Sequence, residues 1–239
     1  MIGIISDGKS DFDVLKKLVQ VIFEKHHQKN ILDEEFYRFD KIKTFDAMQS
    51  YFDKCKKEGY GLHQNHTDEF MKDVNGFLAE AFYKLSKEKD NNITNKDIII
   101  FNADSEIIMG KNVDYFKEWL YFIHPVLWKA IEHFYEKLIL TGYSYEQIPL
   151  VLPIIPFPCI EILVRAAMPN YDEKYRNFKA KPELKQEVWG TDDIRTAYKN
   201  EYIPMTLEDY IIPQNIESIY RHIPEARKFI QILSFNLDK

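Results

Sequence analysis

Several features that would point to a secreted, membrane-bound or disulfide-stabilised protein are missing from this sequence. The chain has only two cysteines among 239 residues, far apart and outside any metal-ligand spacing, which indicates neither a disulfide framework nor a zinc site. No stretch reaches the roughly 18 uninterrupted apolar residues of a membrane helix. The first residues lack the basic lead and the small-residue cleavage site of a signal peptide. We therefore expect a soluble, cytoplasmic protein with no membrane partner.

Glycine and proline are also scarce, with 8 and 10 residues, and no segment has low complexity. Both observations argue against disorder. The net charge of −6 argues against a nucleic-acid binder that works through bulk positive charge. It leaves open an enzyme with a local basic track, or a protein whose partner carries the basic surface. The 17 Phe and 15 Tyr residues supply enough apolar surface for a large core.

Three short apolar runs predict buried parallel strands, because they are continuous and do not alternate with polar residues. They span residues 2–5, 98–101 and 150–155, and a weaker run over 35–43 predicts a further strand. Helical spacing of apolar residues predicts helices over 10–26, 44–58, 67–88 and 113–140, the last with a break at Pro125 and a stop at Gly142. Strands and helices alternate, so we expect an α/β fold with a parallel sheet flanked by helices.

The tail differs from the first 168 residues in composition. From Pro169 onward polar, charged and apolar residues are mixed. Helical spacing predicts two closing helices, over 206–221 with an interruption at Pro213 and over 224–234. We expect an α/β core over residues 1–168, and a mostly helical C-terminal extension over 169–239 that packs on it without a flexible linker.

Acidic or amide side chains follow each predicted buried strand. Asp7 follows the first strand, Asn102 and Asp104 follow the second, and Glu161 lies in the first turn of a helix after the third. Ligands of parallel α/β sheets gather outside the carboxyl ends of the strands. Carboxylate oxygens suit Mg²⁺, and in phosphodiester chemistry that metal activates water and stabilises charge on the phosphoryl group.

Two of these segments, "IISDGKSDFDVLKKL" and "IIIFNADSE", resemble the Toprim fold. That family has an acid–glycine turn after its first strand and an Asp-x-Asp motif after a later one. The sequence is most similar to stand-alone Toprim-like proteins of bacterial defence and mobile-element loci, and to the Toprim nuclease half of the OLD family. "PIIPFPCIEILV" resembles the proline-rich strand and "IE" helix start of those relatives, and "TAYKNEY" loosely resembles their late Tyr-x-Lys stretch.

The resemblance implies a Mg²⁺- or Mn²⁺-dependent phosphodiesterase that acts on DNA or RNA, in anti-phage defence. The metal would be held by Asp7 and Asp104, supported by Asn102 and Glu106, and a second position would be tuned by Asp11 or Glu161. The catalytic residues would be Asp7 and Asp104, with Lys9 or Lys199 neutralising charge on the phosphate. A partner protein such as an ATPase and assembly into a homo-oligomer are both compatible with this hypothesis.

Two departures from the family pattern leave alternatives open. Asp7 stands where the family usually has Glu, and Asn102 replaces the first Asp of the motif, so it offers an oxygen without a charge. A degenerate Toprim domain that acts as a binding or regulatory subunit is therefore a second hypothesis, and a small-molecule phosphotransfer enzyme is a third. Each acid also has a structural interpretation: a tight turn at Asp7, a helix cap at Asp104 and a dipole-compensating acid at Glu161.

Overall fold

A four-stranded parallel sheet underlies the α/β fold of this protein. The computed structural model describes residues 1–6, 8–39, 50, 54, 64–103 and 116–235. The sheet order is β2-β1-β3-β4. The strands are β1 (Ile2–Ile5), β2 (Phe36–Arg38), β3 (Ile98–Asn102) and β4 (Leu150–Ile154).

The central pair of strands, β1 and β3, is buried along its whole length. These strands run parallel and in register, from Ile2 opposite Ile98 to Ile5 opposite Phe101. Both are continuous apolar runs, which is the composition of strands covered on both faces. The three strands predicted from such runs are confirmed, and the weaker strand over 35–43 is confirmed at Phe36–Arg38.

Two long helices, α2 (Gln64–Glu88) and α3 (Phe116–Leu140), pack against each other, and α2 also contacts β1. The predicted break at Pro125 is wrong, because α3 continues through this residue. A proline inside a helix costs about 3 kcal/mol. Burial of Leu127, Ile131 and Phe134 offsets that cost, at about 1.5–3 kcal/mol for each side chain. The predicted stop is confirmed at Gly142, whose φ is +99°.

The remaining helices are shorter, apart from α1, and most belong to the tail. They are α1 (Lys9–His27), α4 (Glu161–Ala167), α5 (Lys181–Trp189), α6 (Ile194–Lys199), α7 (Tyr202–Tyr210), α8 (Ile216–His222) and α9 (Pro224–Phe235). The interruption near Pro213 and the last helix are confirmed, whereas α5 and α6 were not predicted. The helix predicted over 44–58 falls outside the described residues, except that 50 and 54 are helical.

The described chain divides into two compact units, each made of separate segments. The first comprises Met1–Asp7, Phe36–Ala103 and Ile107–Pro153, and the second comprises Gly8–Glu35, Asp104–Glu106 and Ile154–Lys239. The sheet, α2 and α3 belong to the first unit, and α1 and the tail helices belong to the second. The predicted boundary at residue 168 stays a prediction. Among the described residues, none of the helices combines the length and apolar character needed to cross a membrane.

A buried carboxylate, Asp97, fixes the amino ends of the strands in the first unit. Its side chain is 1% exposed, and it accepts hydrogen bonds from the amino group of Met1 at 2.7 Å, from Lys89 Nζ at 2.6 and 2.8 Å, and from the Thr94 N–H at 2.7 Å. Its backbone carbonyl accepts from the N–H of Leu150. Burial raises the pKa of Asp97, but the hydrogen bonds from Lys89 and Met1 outweigh burial and leave this pKa below its usual value.

We expect Asp97→Asn to lower the free energy of unfolding by about 2–4 kcal/mol at pH 7, because two ammonium groups lose their partner. The native pKa is depressed, so the stabilisation exists above the ordinary carboxyl pKa near 4 and is lost as the pH falls through the native pKa. Urea unfolding at pH 7 and pH 3 measures this effect. Asp73→Asn, at an exposed helix position, is the control. If the difference in free energy of unfolding between wild type and Asp97→Asn is as large at pH 3 as at pH 7, the ionised carboxylate of Asp97 does not have this stabilising role.

A second prediction compares two glycines in contrasting surroundings. A Cβ added at Gly3 would lie 2.5 Å from Cε2 of the buried Phe39, whereas one added at Gly76 in α2 would meet nothing within 4 Å. We expect Gly3→Ala to lower the free energy of unfolding by about 1–3 kcal/mol through overpacking. Gly76→Ala should raise it by about 0.5–1 kcal/mol through helix propensity. Urea unfolding of both variants tests the pair, and effects of the same sign would contradict it.

Candidate functional site at the carboxyl edge of the sheet

Two buried polar residues stand side by side at the carboxyl edge of the sheet. Ser6 directly follows β1, Asn102 ends β3, and they are 3% and 2% exposed. β1 and β3 pair in register up to Ile5 and Phe101. Ser6 and Asn102 are the next pair of residues in this register, and neighbouring strands lie about 4.8 Å apart. The carboxyl edge of the central pair is therefore polar, although the strands themselves are apolar.

The acids predicted for this edge follow these two residues closely in the sequence. Asp7 follows Ser6 directly, and Asp104 and Glu106 lie two and four positions after Asn102. All three acids lie outside the described residues. Within the described part of the chain, no cluster of three His, Cys, Asp or Glu side chains could hold a metal ion. What this part contributes to the edge is a hydroxyl and an amide, both uncharged oxygen donors of the kind that Mg²⁺ accepts.

Asp11 has a structural role at the start of α1. Its Oδ2 accepts a hydrogen bond from the N–H of Gly8 at 2.9 Å, and Gly8 is the residue that caps the helix. This is half of a capping box, in which an acid in the first turn satisfies a backbone donor before the helix. The carboxylate also suits the positive end of the helix dipole. Ligation of a metal by Asp11 would compete with this cap.

Lys9 is held by two side chains of the second unit. Its Nζ lies 2.6 Å from Oδ2 of Asp13, one turn further along α1, and 4.2 Å from the ring centre of Tyr198 in α6. The Tyr198 hydroxyl donates to the same Asp13 oxygen at 2.7 Å. This arrangement, here called the Lys9 clamp and made of Lys9, Asp13 and Tyr198, combines an ion pair with a cation–π contact. The Lys9 side chain still has 59% of its surface exposed, so the ammonium group can be reached from solvent.

Sequence reasoning selected Lys9 and Lys199 and missed the two residues that complete the clamp. The spacing of Lys9 and Asp13, at i and i+4 on a helix, is a signal that could have found the first contact. Tyr198 is 185 positions from Asp13, so only the folded chain reveals the second contact. Lys199 ends α6 next to Tyr198 and is exposed. Through Tyr198, the "TAYKNEY" stretch contacts Lys9 and Asp13 in the first turns of α1.

Glu161 is buried among residues of the tail. It begins α4 and is 3% exposed. Its Oε1 accepts a hydrogen bond from Nε1 of Trp189 at 3.1 Å and lies 3.9 Å from Nζ of Lys185. An indole N–H and an ammonium group are partners of a structural carboxylate, and a metal at this oxygen would have to displace both. Glu161 belongs to the second unit and Asn102 to the first.

A second ionic cluster anchors the segment that follows α4. Arg165 is 5% exposed, and its Nε lies 2.7 Å from Oε1 of Glu187. Its other nitrogens donate to the carbonyls of Pro169 and Asn170 at 3.1 and 2.8 Å. Tyr175 donates its hydroxyl to the other oxygen of Glu187. The positive charge of Arg165 is thus satisfied inside the second unit.

We expect Glu161→Ala to lower the free energy of unfolding by about 2–3 kcal/mol, because the buried Trp189 N–H loses its acceptor. Glu161→Gln retains an acceptor oxygen and should cost about 1 kcal/mol or less. Urea unfolding followed by tryptophan fluorescence measures both variants. The control is Glu183→Ala, which removes an exposed pair with Lys174 and should cost less than Glu161→Ala, because exposed pairs contribute little to stability. The structural role is wrong if Glu161→Ala costs no more than this control.

Comparison with known proteins assigns this chain to no family. No protein-family model, no curated protein and no solved structure matches the chain. The Toprim resemblance therefore stays a prediction, based on two short motifs. The polar edge of the sheet and the Lys9 clamp are the two features of the described residues that bear on function.

Proposed function

We propose that this protein is a Mg²⁺- or Mn²⁺-dependent phosphodiesterase that acts on nucleic acid, with its site at the carboxyl edge of β1 and β3. The observation that supports it most is the in-register pairing of these two strands, which places the buried residues Ser6, directly after β1, and Asn102, at the end of β3, at the same edge of the sheet. Each strand continues in the sequence to an acid, Asp7 or Asp104. Adjacent parallel strands that both lead into acids favour a shared cation, since such edges are where α/β sheets bind ligands.

The residues of this chain fit such a cation only in part. Asp7, Asp104 and the amide oxygen of Asn102 are hard oxygen donors, and Glu106 is a fourth candidate. Asp11 and Glu161 are weaker candidates, because their carboxylates serve the α1 cap and Trp189. When bound, the metal would supply an activated water and charge stabilisation on the phosphoryl group.

Lys9 is the residue proposed to meet the substrate phosphate. It follows Asp7 by two positions in the sequence, and the Lys9 clamp holds its ammonium group in one place while leaving it accessible. A fixed cation near a phosphate stabilises developing negative charge without reorganising during the reaction. Lys199, exposed beside Tyr198, is the second candidate for this task. A role in anti-phage defence and a partner ATPase belong to this proposal through the Toprim resemblance alone.

One observation favours a second function, a nucleic-acid-binding or regulatory subunit without cleavage activity. Asn102 is buried at the strand end as an amide, where the resemblance implies a carboxylate. Each carboxylate replaced by an amide removes one charge from the cation site and weakens its hold on Mg²⁺. The net charge of −6 also suits a subunit whose partner carries the basic surface.

Calorimetric titration with Mg²⁺ and Mn²⁺ tests the site directly. We expect the wild type to bind with a dissociation constant on the order of millimolar or below. Asp7→Asn and Asp104→Asn should each weaken binding about tenfold or more, because each removes a charged ligand. Asp73→Asn, on the exposed face of α2, should leave binding unchanged. Absence of binding in the wild type, with an oligonucleotide present, would contradict the proposed site.

Cleavage assays on single-stranded DNA, double-stranded DNA and tRNA then separate the two functions. For the phosphodiesterase, we expect Lys9→Ala to reduce cleavage about 100-fold while metal affinity is retained. Asn102→Asp should strengthen metal binding. Metal binding without cleavage of any substrate would support the binding subunit and reject the enzyme.

A further inference from the structure

A polar, aromatic cleft of about 480 Å³ opens in the second unit, between the end of α4, the end of α7 and one side of α8. Three aromatic side chains contribute to its wall, namely Tyr171, Tyr210 and His222. The rings of Tyr171 and His222 lie 4.7 Å apart and are inclined by 33°. The cleft is large enough for a small organic group, and neither the metal site nor the Lys9 clamp contributes to it.

The charges around this cleft favour a cation over an anion. Asp209 supplies a carboxylate to the lining, and in the described part of the chain the lining includes no Lys or Arg. The carboxyl ends of α4 and α7, at Ala167 and Tyr210, reach the cleft, and helix carboxyl ends carry partial negative charge. Two guanidinium groups act on the Tyr171 side of the cleft, those of Arg176 and Arg165, and each is paired with a carboxylate, Glu225 and Glu187 respectively. Among the described residues, an anionic ligand would find no Lys or Arg side chain in this lining.

The hydroxyl group of Tyr171 is a buried polar group of a residue that lines the cleft. The Tyr171 hydroxyl oxygen is buried and has no hydrogen-bond partner among the described residues, and burial raises the pKa of this phenol to about 12. The neighbouring polar groups are used within the unit: Ser218 donates to Ala166 O at 2.6 Å and Asn215 donates to Tyr210 O at 3.0 Å. A neutral phenol ring next to an imidazole provides the electron-rich surface that cations prefer.

We infer that this cleft binds an organic ammonium group, with Asp209 as its counter-ion and the rings of Tyr171, Tyr210 and His222 as its cation–π partners. Primary and quaternary ammonium ions share this chemistry. The group could belong to a free small molecule or to the lysine side chain of a peptide. The inference is independent of the phosphodiesterase proposal, since it uses different residues and needs no metal.

Binding is measured by NMR titration of the ¹⁵N-labelled full chain at pH 8. The probes are choline, cadaverine and the tripeptide Ala-Lys-Ala with blocked ends. The control ligand is 3,3-dimethylbutanol, the neutral carbon analogue of choline. We expect saturable shifts at the amides of Asn170, Asn215 and His222 with choline or cadaverine, and a dissociation constant at least about fivefold higher for 3,3-dimethylbutanol. Tighter binding of the peptide than of cadaverine would identify a lysine side chain as the source.

Three variants make the test specific. Asp209→Asn should weaken binding about tenfold by removing the counter-ion, and Tyr210→Leu about three- to fivefold by removing a ring. Asp192→Asn, at another exposed position of the same unit, should have no effect. The proposal is overturned if 3,3-dimethylbutanol binds as well as choline, if Asp209→Asn binds like the wild type, or if the shifts appear elsewhere. It is also overturned if no probe saturates a protein whose spectrum shows it to be folded.

Discussion

The register of the β1–β3 pair determines what the carboxyl edge of the sheet can do, and the buried carboxylate of Asp97 holds that register. Asp97 lies at the amino edge, where it joins the amino group of Met1 on one strand to the start of β3 on the next. Its backbone carbonyl also receives the first N–H of β4. A slip of one residue would turn every side chain to the other face. Ser6 and Asn102 would then no longer stand level with each other.

The core around this pair leaves little room for adjustment. Gly3 of β1 faces the buried ring of Phe39 so closely that a single methyl group would collide with it. Ile4, Ile5, Ile99 and Ile100 are fully buried, so the strands cannot shift without exposing or overpacking apolar side chains. Against this rigid background, two buried polar residues at the ends of adjacent strands are costly unless they are satisfied.

The sequence allowed the sheet to be predicted because each central strand is a continuous apolar run that needs no information from distant residues. The sequence did not allow helices to be predicted where contacts between residues far apart in the chain decide whether the helix forms or continues. Pro125 does not break α3, because burial of Leu127 and Phe134 outweighs the lost hydrogen bond. Helix α5 has a weak apolar pattern and is stabilised by tertiary contacts, such as that of Trp189 with Glu161. For the site, Lys9 could be selected from its position, but its partner Tyr198 lies at the other end of the chain.

Three acids of the described chain already have hydrogen-bond or ion-pair partners within the protein, which makes them poor candidates for metal ligands. Asp11 caps α1, Asp13 holds Lys9 and Tyr198, and Glu161 accepts from Trp189. Each is committed to a neutral or cationic donor of the protein, so a metal would have to replace an interaction that the fold uses. Asn102 contributes an oxygen without charge, so charge for a cation at the sheet edge would have to come from the acids that follow β1 and β3. The proposed chemistry therefore depends chiefly on Asp7 and Asp104, and the loss of either would weaken the hold on Mg²⁺ by removing one charged ligand.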